Sequence, residues 1–236
     1  MDWKLLIIFI ILAIIFYLSY LFFSQRQAAL LSILLYQSRD FEGYYKELES
    51  PSSKFFFTKK LRTLMRLDAV LLEDDEQKIQ EILPLVDGFR LRSVERLIVT
   101  VKEFSYCVRH HKQEEAYHYI EIAEDNFKYL TSKQKSQYQP LLDELKMTKS
   151  LIFERSGHYA KDLEKVAKSK RDGLTAGVFF LKAALANYYR KEKDVAFQCL
   201  TSGYERLKET TYATRIKEMM DQKDWLELEK LVTELS

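Results

Sequence analysis

Glycine and proline are scarce in this chain, six and three among 236 residues. An all-β protein needs many tight turns of the kind these residues supply, so their shortage excludes that class. Cysteine is scarcer still: Cys107 and Cys199 stand far apart, each inside an apolar helical pattern. Both read as small buried hydrophobes. Their scarcity fits a cytoplasmic chain, and a disulfide would require an oxidising compartment. No excess of one charge exists either, with 37 basic residues against 35 acidic. That excludes general nucleic-acid binding, which needs a basic surplus.

Catalytic signatures are missing as well. The sequence contains no Gly-x-Ser-x-Gly elbow, no phosphate-binding Gly-Lys-Ser/Thr loop, no Gly-x-Gly-x-x-Gly turn and no Cys-x-x-Cys. Carboxylates are numerous but alternate with Lys and Arg as on exposed helix faces. The stretch RHHKQEEAYHYIE holds Glu115 and His118 at the Glu-x-x-His spacing of di-iron bundles. A second such pair is absent, since His158 has no Glu three residues before it, and His110 and His111 fall at an expected turn. A solvated polar face is the simpler reading. The chain is therefore expected to act without catalysis, cofactor or metal.

What is present, first of all, is the charge-free run LLIIFIILAIIFYLSYLFF, residues 5–23. Nineteen residues of helix measure roughly 28 Å, close to the hydrocarbon thickness of a bilayer. Fifteen of them are Leu, Ile or Phe, which favours insertion by roughly 5 to 9 kcal/mol. Tyr17 and Tyr20 stand near its end, where amphipathic rings prefer the interface. A signal peptide would have a shorter apolar region and a small-x-small cleavage site, whereas Arg26 and Gln27 follow here. The reading is a short tail (1–4), an uncleaved single-pass transmembrane helix (5–23) and a soluble domain (24–236). Lys4 precedes the span; Arg26, Arg39, Lys46 and further basic residues follow it. The positive-inside bias leans towards a cytoplasmic soluble domain.

Beyond the run, helical stripes alternate with polar breaks. Leu91, Val94, Ile98, Val101, Ser105 and Val108 make one stripe, and Ala116, Ile120, Ala123 and Phe127 a second. Ala176, Phe180, Ala183 and Ala184 make another, followed by Ala196, Leu200, Gly203 and Leu207, which repeat the steps of four, three and four. Between these pairs, Pro140 suits a first helical turn, Gly157 marks a break, and Ala160, Leu163 and Ala167 begin the partner helix. Asp224 with Glu227 looks like a capping box. Breaks are expected near 39, 74, 112, 157, 192 and 222, a spacing of roughly 30 to 45 residues that suits arrays of helix pairs.

In GHYAKD and in the Ala116 and Ala196 stripes, the chain resembles the tetratricopeptide family over most of residues 28–235. The family's Trp-x-x-Leu-Gly-x-x-Tyr first helix is absent, and Pro does not close each repeat. The resemblance implies an all-α fold, with the N-terminal transmembrane helix followed by an α-solenoid of degenerate helix-turn-helix repeats. It also implies a groove lined by first-helix side chains, here Ser105, Arg109, Lys149, Phe153, Tyr188 and Tyr189. An irregular α-bundle is the alternative.

A second surface stands out in SKFFFTKKLRTLMR. Lys54, Lys59, Lys60, Arg62 and Arg66 surround Phe55, Phe56 and Phe57, a mixture that favours anionic membrane surfaces. An ordinary repeat helix with buried Phe and exposed Lys is the plainer account. The expected function is a membrane-anchored scaffold or adaptor that binds other proteins or peptides, serving assembly at the membrane in envelope biogenesis or secretion. The contrasting expectation is a ligand- or metal-binding sensor or enzyme within an irregular bundle. Oligomeric state is not legible.

Overall fold

The computed structural model describes residues 3–236, and among them there is no strand. In chain order come α1 (Trp3–Ser32), a π-helical turn (Ile33–Gln37), α2 (Phe41–Leu48), α3 (Pro51–Phe56), α4 (Lys59–Glu73), α5 (Glu76–Asp87), α6 (Ser93–Arg109) and α7 (Gln113–Lys128). Then follow α8 (Ser132–Ile152), α9 (Ala160–Ser169), α10 (Gly173–Tyr189), α11 (Lys193–Leu207), α12 (Ala213–Gln222) and α13 (Trp225–Glu234). The expected N-terminal tail, residues 1–4, lies outside the described residues except for its last two. The chain divides into two compact units, Met1–Arg90 and Leu91–Ser236.

Polar side chains mark many helix starts. Asp40, Ser50, Thr58, Asp75, Thr131, Asp172 and Asp224 each accept a backbone N–H of the helix that follows. Each satisfies a donor that helix geometry would leave without a partner. Asp224 does so twice, towards Leu226 and Glu227 at 3.1 and 3.0 Å. The reciprocal half of the expected capping box is not made, because the Glu227 carboxylate accepts from Arg215 Nε at 2.8 Å.

All six expected breaks are turns, and each contains a non-glycine residue in left-handed backbone: Arg39, Asp74, His111, Arg155, Lys191 and Lys223. Three turns share one hydrogen-bond pattern. Lys112, Glu192 and Asp224 donate N–H to Cys107, Asn187 and Met219 carbonyls at 2.9, 3.0 and 3.0 Å. The preceding residues His111, Lys191 and Lys223 donate to Val108, Tyr188 and Met220. This is the Schellman closure, in which the left-handed position normally holds glycine.

In the first unit, α1 has two kinds of surface. Phe9, Phe16 and Phe22 are exposed, whereas Leu31 is buried. Leu31 and Leu35 join Tyr44, Leu48, Phe57 and Ala69 in the unit's core. The boundary expected after residue 23 therefore lies inside a helix that runs on to Ser32. By length and composition the stretch Phe9–Gln37 can cross a membrane, and a signal sequence passes the same test.

The second unit is built around α10, which packs against α8, α9, α11 and α13. Ala176, Gly177, Ala183, Ala184 and Ala186 are buried on α10. Opposite them, Ala196, Leu200, Gly203 and Leu207 are buried on α11, as their spacing predicted. The stripes Ala116–Ile120–Ala123 and Ala160–Leu163–Ala167 are likewise buried.

Two expectations require correction. Of the expected α6 stripe only Val108 is buried: Ile98 is 39% exposed, and the other buried residues include Leu97, Thr100, Phe104 and Cys107. Apolar residues occur on both flanks of this helix, so periodicity alone does not choose between them. Pro140 lies inside α8 and not in its first turn. The Thr131–Gln134 capping box starts that helix eight residues earlier, which outweighs the single backbone bond that Pro140 removes.

Lys191→Gly relieves left-handed strain and should stabilise the second unit by about 1 kcal/mol. Gly157→Ala should do the reverse, by roughly 1–3 kcal/mol, because a Cβ there meets the Ala186 carbonyl oxygen and the Arg190 side chain. Urea denaturation midpoints of the two variants, moving in opposite directions, are the check.

Candidate functional site

A concavity of the second unit lies between α8 and α9. Seven residues, 153–159, connect them, and Gly157 in that connection sits tight against the C-terminal end of α10. As a result α9 lies along α10 and does not fold back along α8. The space left open is a cavity of about 770 Å³. Leu141, Met147, Val166 and Phe179 give it apolar walls, and Tyr138 and Tyr159 line it with their rings. A second hollow of about 610 Å³ lies between α7 and α8, and both are lined by Lys146 and Tyr159. The two make one trough along α8.

Two lysines beside the trough are in ion pairs. Lys146 Nζ lies 2.7 Å from Glu124 Oε1, and that hydrogen bond raises the lysine's pKa. Lys149 Nζ lies 3.4 Å from Glu154 Oε1 and 4.3 Å from the centre of the Tyr117 ring. Behind the cavity, Lys182 is buried to 3% exposure. Its ammonium donates to Glu144 Oε1 at 3.3 Å and to Thr148 Oγ1 at 3.4 Å, and lies 5.4 Å from the Phe179 ring centre. Burial lowers its pKa, with Glu144 pulling the other way. Lys170 approaches the same ring at 5.5 Å.

The six expected groove residues fall into three places. Lys149 and Phe153 converge on Tyr117, whose ring stands edge-on to Phe153 at 6.0 Å. Tyr188 is stacked on Trp225 of α13, with centroids 4.7 Å apart and planes 9° apart. Tyr189 is half-buried nearby; burial, then the Glu229 carboxylate, pushes its ionisation up. Ser105 and Arg109 are half-buried on α6. Thus Tyr188 and Tyr189 are occupied by the chain's own last helix. Sequence reasoning missed Trp225 as their cover, and missed the trough because no motif encodes the divergence of α8 and α9. Its one local signal is Gly157.

The eight residues of the basic aromatic patch lie in the first unit and do not form one helix. Lys54, Phe55 and Phe56 are on α3, Phe57 is the buried residue that ends it, and Lys59, Lys60, Arg62 and Arg66 are on α4. Arg62 Nη1 bonds Glu49 at 2.9 Å, and Arg66 lies over the Tyr45 ring at 5.8 Å. Phe55 is 66% exposed.

Cys107 and Cys199 are buried free thiols, and burial pushes each up to about 11. Among the described residues no group of three or more His, Cys, Asp and Glu is placed to hold a metal; Glu115 and His118 are both exposed. No protein-family model, curated protein or solved structure matches the chain.

Lys182→Met is expected to leave the fold intact and to stabilise it by roughly 1 kcal/mol at neutral pH. It removes a buried charge while Glu144, at 38% side-chain exposure, returns to water. Because folding depresses the Lys182 pKa, the cost is full below the folded value. It fades as pH rises towards the ordinary lysine value, so the gap between Met variant and wild type should narrow there. Thermal melts of both proteins across alkaline pH test this.

Proposed function

We propose that this chain is a single-pass membrane protein whose second unit holds a segment of another protein in the trough along α8. The observation that carries the reading is the trough itself. It combines apolar and aromatic walls with acidic and basic lining residues, a mixture suited to an amphipathic segment. The recurring turns and small-residue stripes support a tetratricopeptide-like helical repeat as the frame. The residues expected to line an open groove contribute in part: Lys149 and Phe153 border the trough with Tyr117. The exposed apolar surface of α1 supports a membrane anchor, and the basic residues after the span favour the cytoplasmic side. The chain's job on this reading is recruitment and assembly at a membrane, without chemistry of its own.

One observation favours a second reading. A cavity of about 770 Å³ also falls within the range of small-molecule sites. The ligand-sensor alternative therefore centres on Met147, Tyr159 and Phe179.

A photo-crosslinking residue placed at Tyr138 in the intact, membrane-resident chain discriminates between these. The scaffold reading expects a discrete protein adduct at Tyr138, none from Phe197 on α11, and loss of the adduct with Val166→Arg. Equal labelling at both positions would remove the trough as the binding surface. A small molecule released from the cavity, and seen by native mass spectrometry without any protein adduct, would favour the sensor. Reporters fused to the C-terminus, one active only in the cytoplasm and one only outside it, decide the side; activity of the cytoplasmic reporter is the expected result.

A further inference from the structure

The short helix α3 lies alongside α1 with its direction reversed. At its start, Ser53 Oγ accepts from Gln27 Nε2 at 3.0 Å, and the same amide donates to Glu47 Oε1 at 2.5 Å. The Ser53 hydroxyl in turn donates to the Glu47 carbonyl at 2.7 Å. At its end, the Tyr20 hydroxyl donates to the Phe56 carbonyl at 3.2 Å. The Tyr20 ring lies 6.1 Å from Phe55 and 5.4 Å from Phe56. Seven residues of α1 separate Tyr20 from Gln27, a rise of about 10 Å. So α3 descends from a polar clasp towards the apolar part of α1.

That geometry fixes depth. A carboxylate held by an amide and next to a hydroxyl is costly in hydrocarbon, which keeps the clasp at Gln27 in the headgroup layer or in water. The charge-free run ends at Phe23. Tyr20, Phe55 and Phe56 are therefore level with its last turn, where aromatic rings prefer to lie. Phe55 is 66% exposed, and Phe22 and Phe23 on α1 are 63% and 51% exposed. Phe55 touches Tyr20 and Phe56, and Phe22 touches Phe23, but all three residues remain more than half exposed. Beside them Lys54 is half-exposed, with Glu49 at 3.3 Å. Lys59 opens α4, where the helix dipole disfavours cations and where an anionic surface would compensate.

We infer that the tip of α3 is a second membrane contact, with Phe55 in the interfacial layer of the leaflet from which α1 emerges and Lys54 and Lys59 against anionic headgroups. The inference rests on α1 being a membrane span. Its occupant is the lipid surface, and its consequence is that the first unit lies against the bilayer.

The test uses the full chain in vesicles of mixed zwitterionic and anionic lipid, with Trp3→Phe and Trp225→Phe to clear the background. In that chain Phe55→Trp reports the tip, and Phe16→Trp, at a 70% exposed position, reports the span. The expected result is blue-shifted emission at position 55, quenched most by bromine near the headgroup end of the acyl chains. Position 16 should be quenched by deeper bromine. Water-like, unquenched emission at 55 with quenching at 16 overturns the contact and leaves the span standing. Loss of quenching at both positions overturns the span, and the contact with it. Lys54→Glu with Lys59→Glu should shift the emission at 55 to the red in anionic vesicles only; an unchanged spectrum overturns the headgroup contact.

Discussion

The turn is the constraint on which the rest depends. A helix ends, one residue enters left-handed backbone, and the chain re-enters a helix after one capping residue. At His111, Lys191 and Lys223 the same two hydrogen bonds close this reversal. A reversal that short leaves consecutive helices antiparallel and adjacent, so each pair must find a shared apolar stripe. None of these left-handed seats is glycine, which costs on the order of 1 kcal/mol at each. The packing that the turn makes possible offsets this.

In the second unit, that packing is centred on α10. A helix can be surrounded only if its neighbours' backbones come close, and alanine and glycine permit it. Where α11 crosses, a Cβ added to Gly203 would lie 3.4 Å from the Gly177 carbonyl oxygen and 2.9 Å from Leu181 Cδ2. The surrounded position also explains why Lys182 and Asn187 are buried on α10 and why both are hydrogen-bonded. Asn187 Nδ2 donates to Ala183 O at 3.0 Å and to Glu164 Oε1 at 3.1 Å. Buried polar groups in such a helix must find partners within reach of their own side chains.

The helices, the six turns and most of the stripes were legible because they rest on local chemistry. Left-handed turns gather polar residues, caps favour Ser, Thr or Asp, and small residues recur at helical steps where helices touch. What could not be read was non-local. The phase of α6 depends on which flank its neighbours cover. The continuation of α1 to Ser32 depends on Leu31 having the core of Tyr44 and Leu48 to enter. Glu227 leaves its capping role because Arg215 competes for it from another helix. The cover over Tyr188 comes from Trp225, which no spacing rule pairs with it. Of the groove residues, only Lys149 and Phe153 meet at the trough, because the registers taken from first helices presuppose regular stacking.

The trough arises where the turn rule lapses. Between α8 and α9 the chain takes seven residues instead of three, and the left-handed Arg155 is followed by a loop pinned to α10 through Gly157. A helix freed from its predecessor packs on its successor, and the two carry their inner faces apart. Half-buried Val166 and Tyr159, with buried Met147, line the space left between them. The α8–α9 junction thus leaves apolar area open, whereas the short turns at His111, Lys191 and Lys223 bring their helices together.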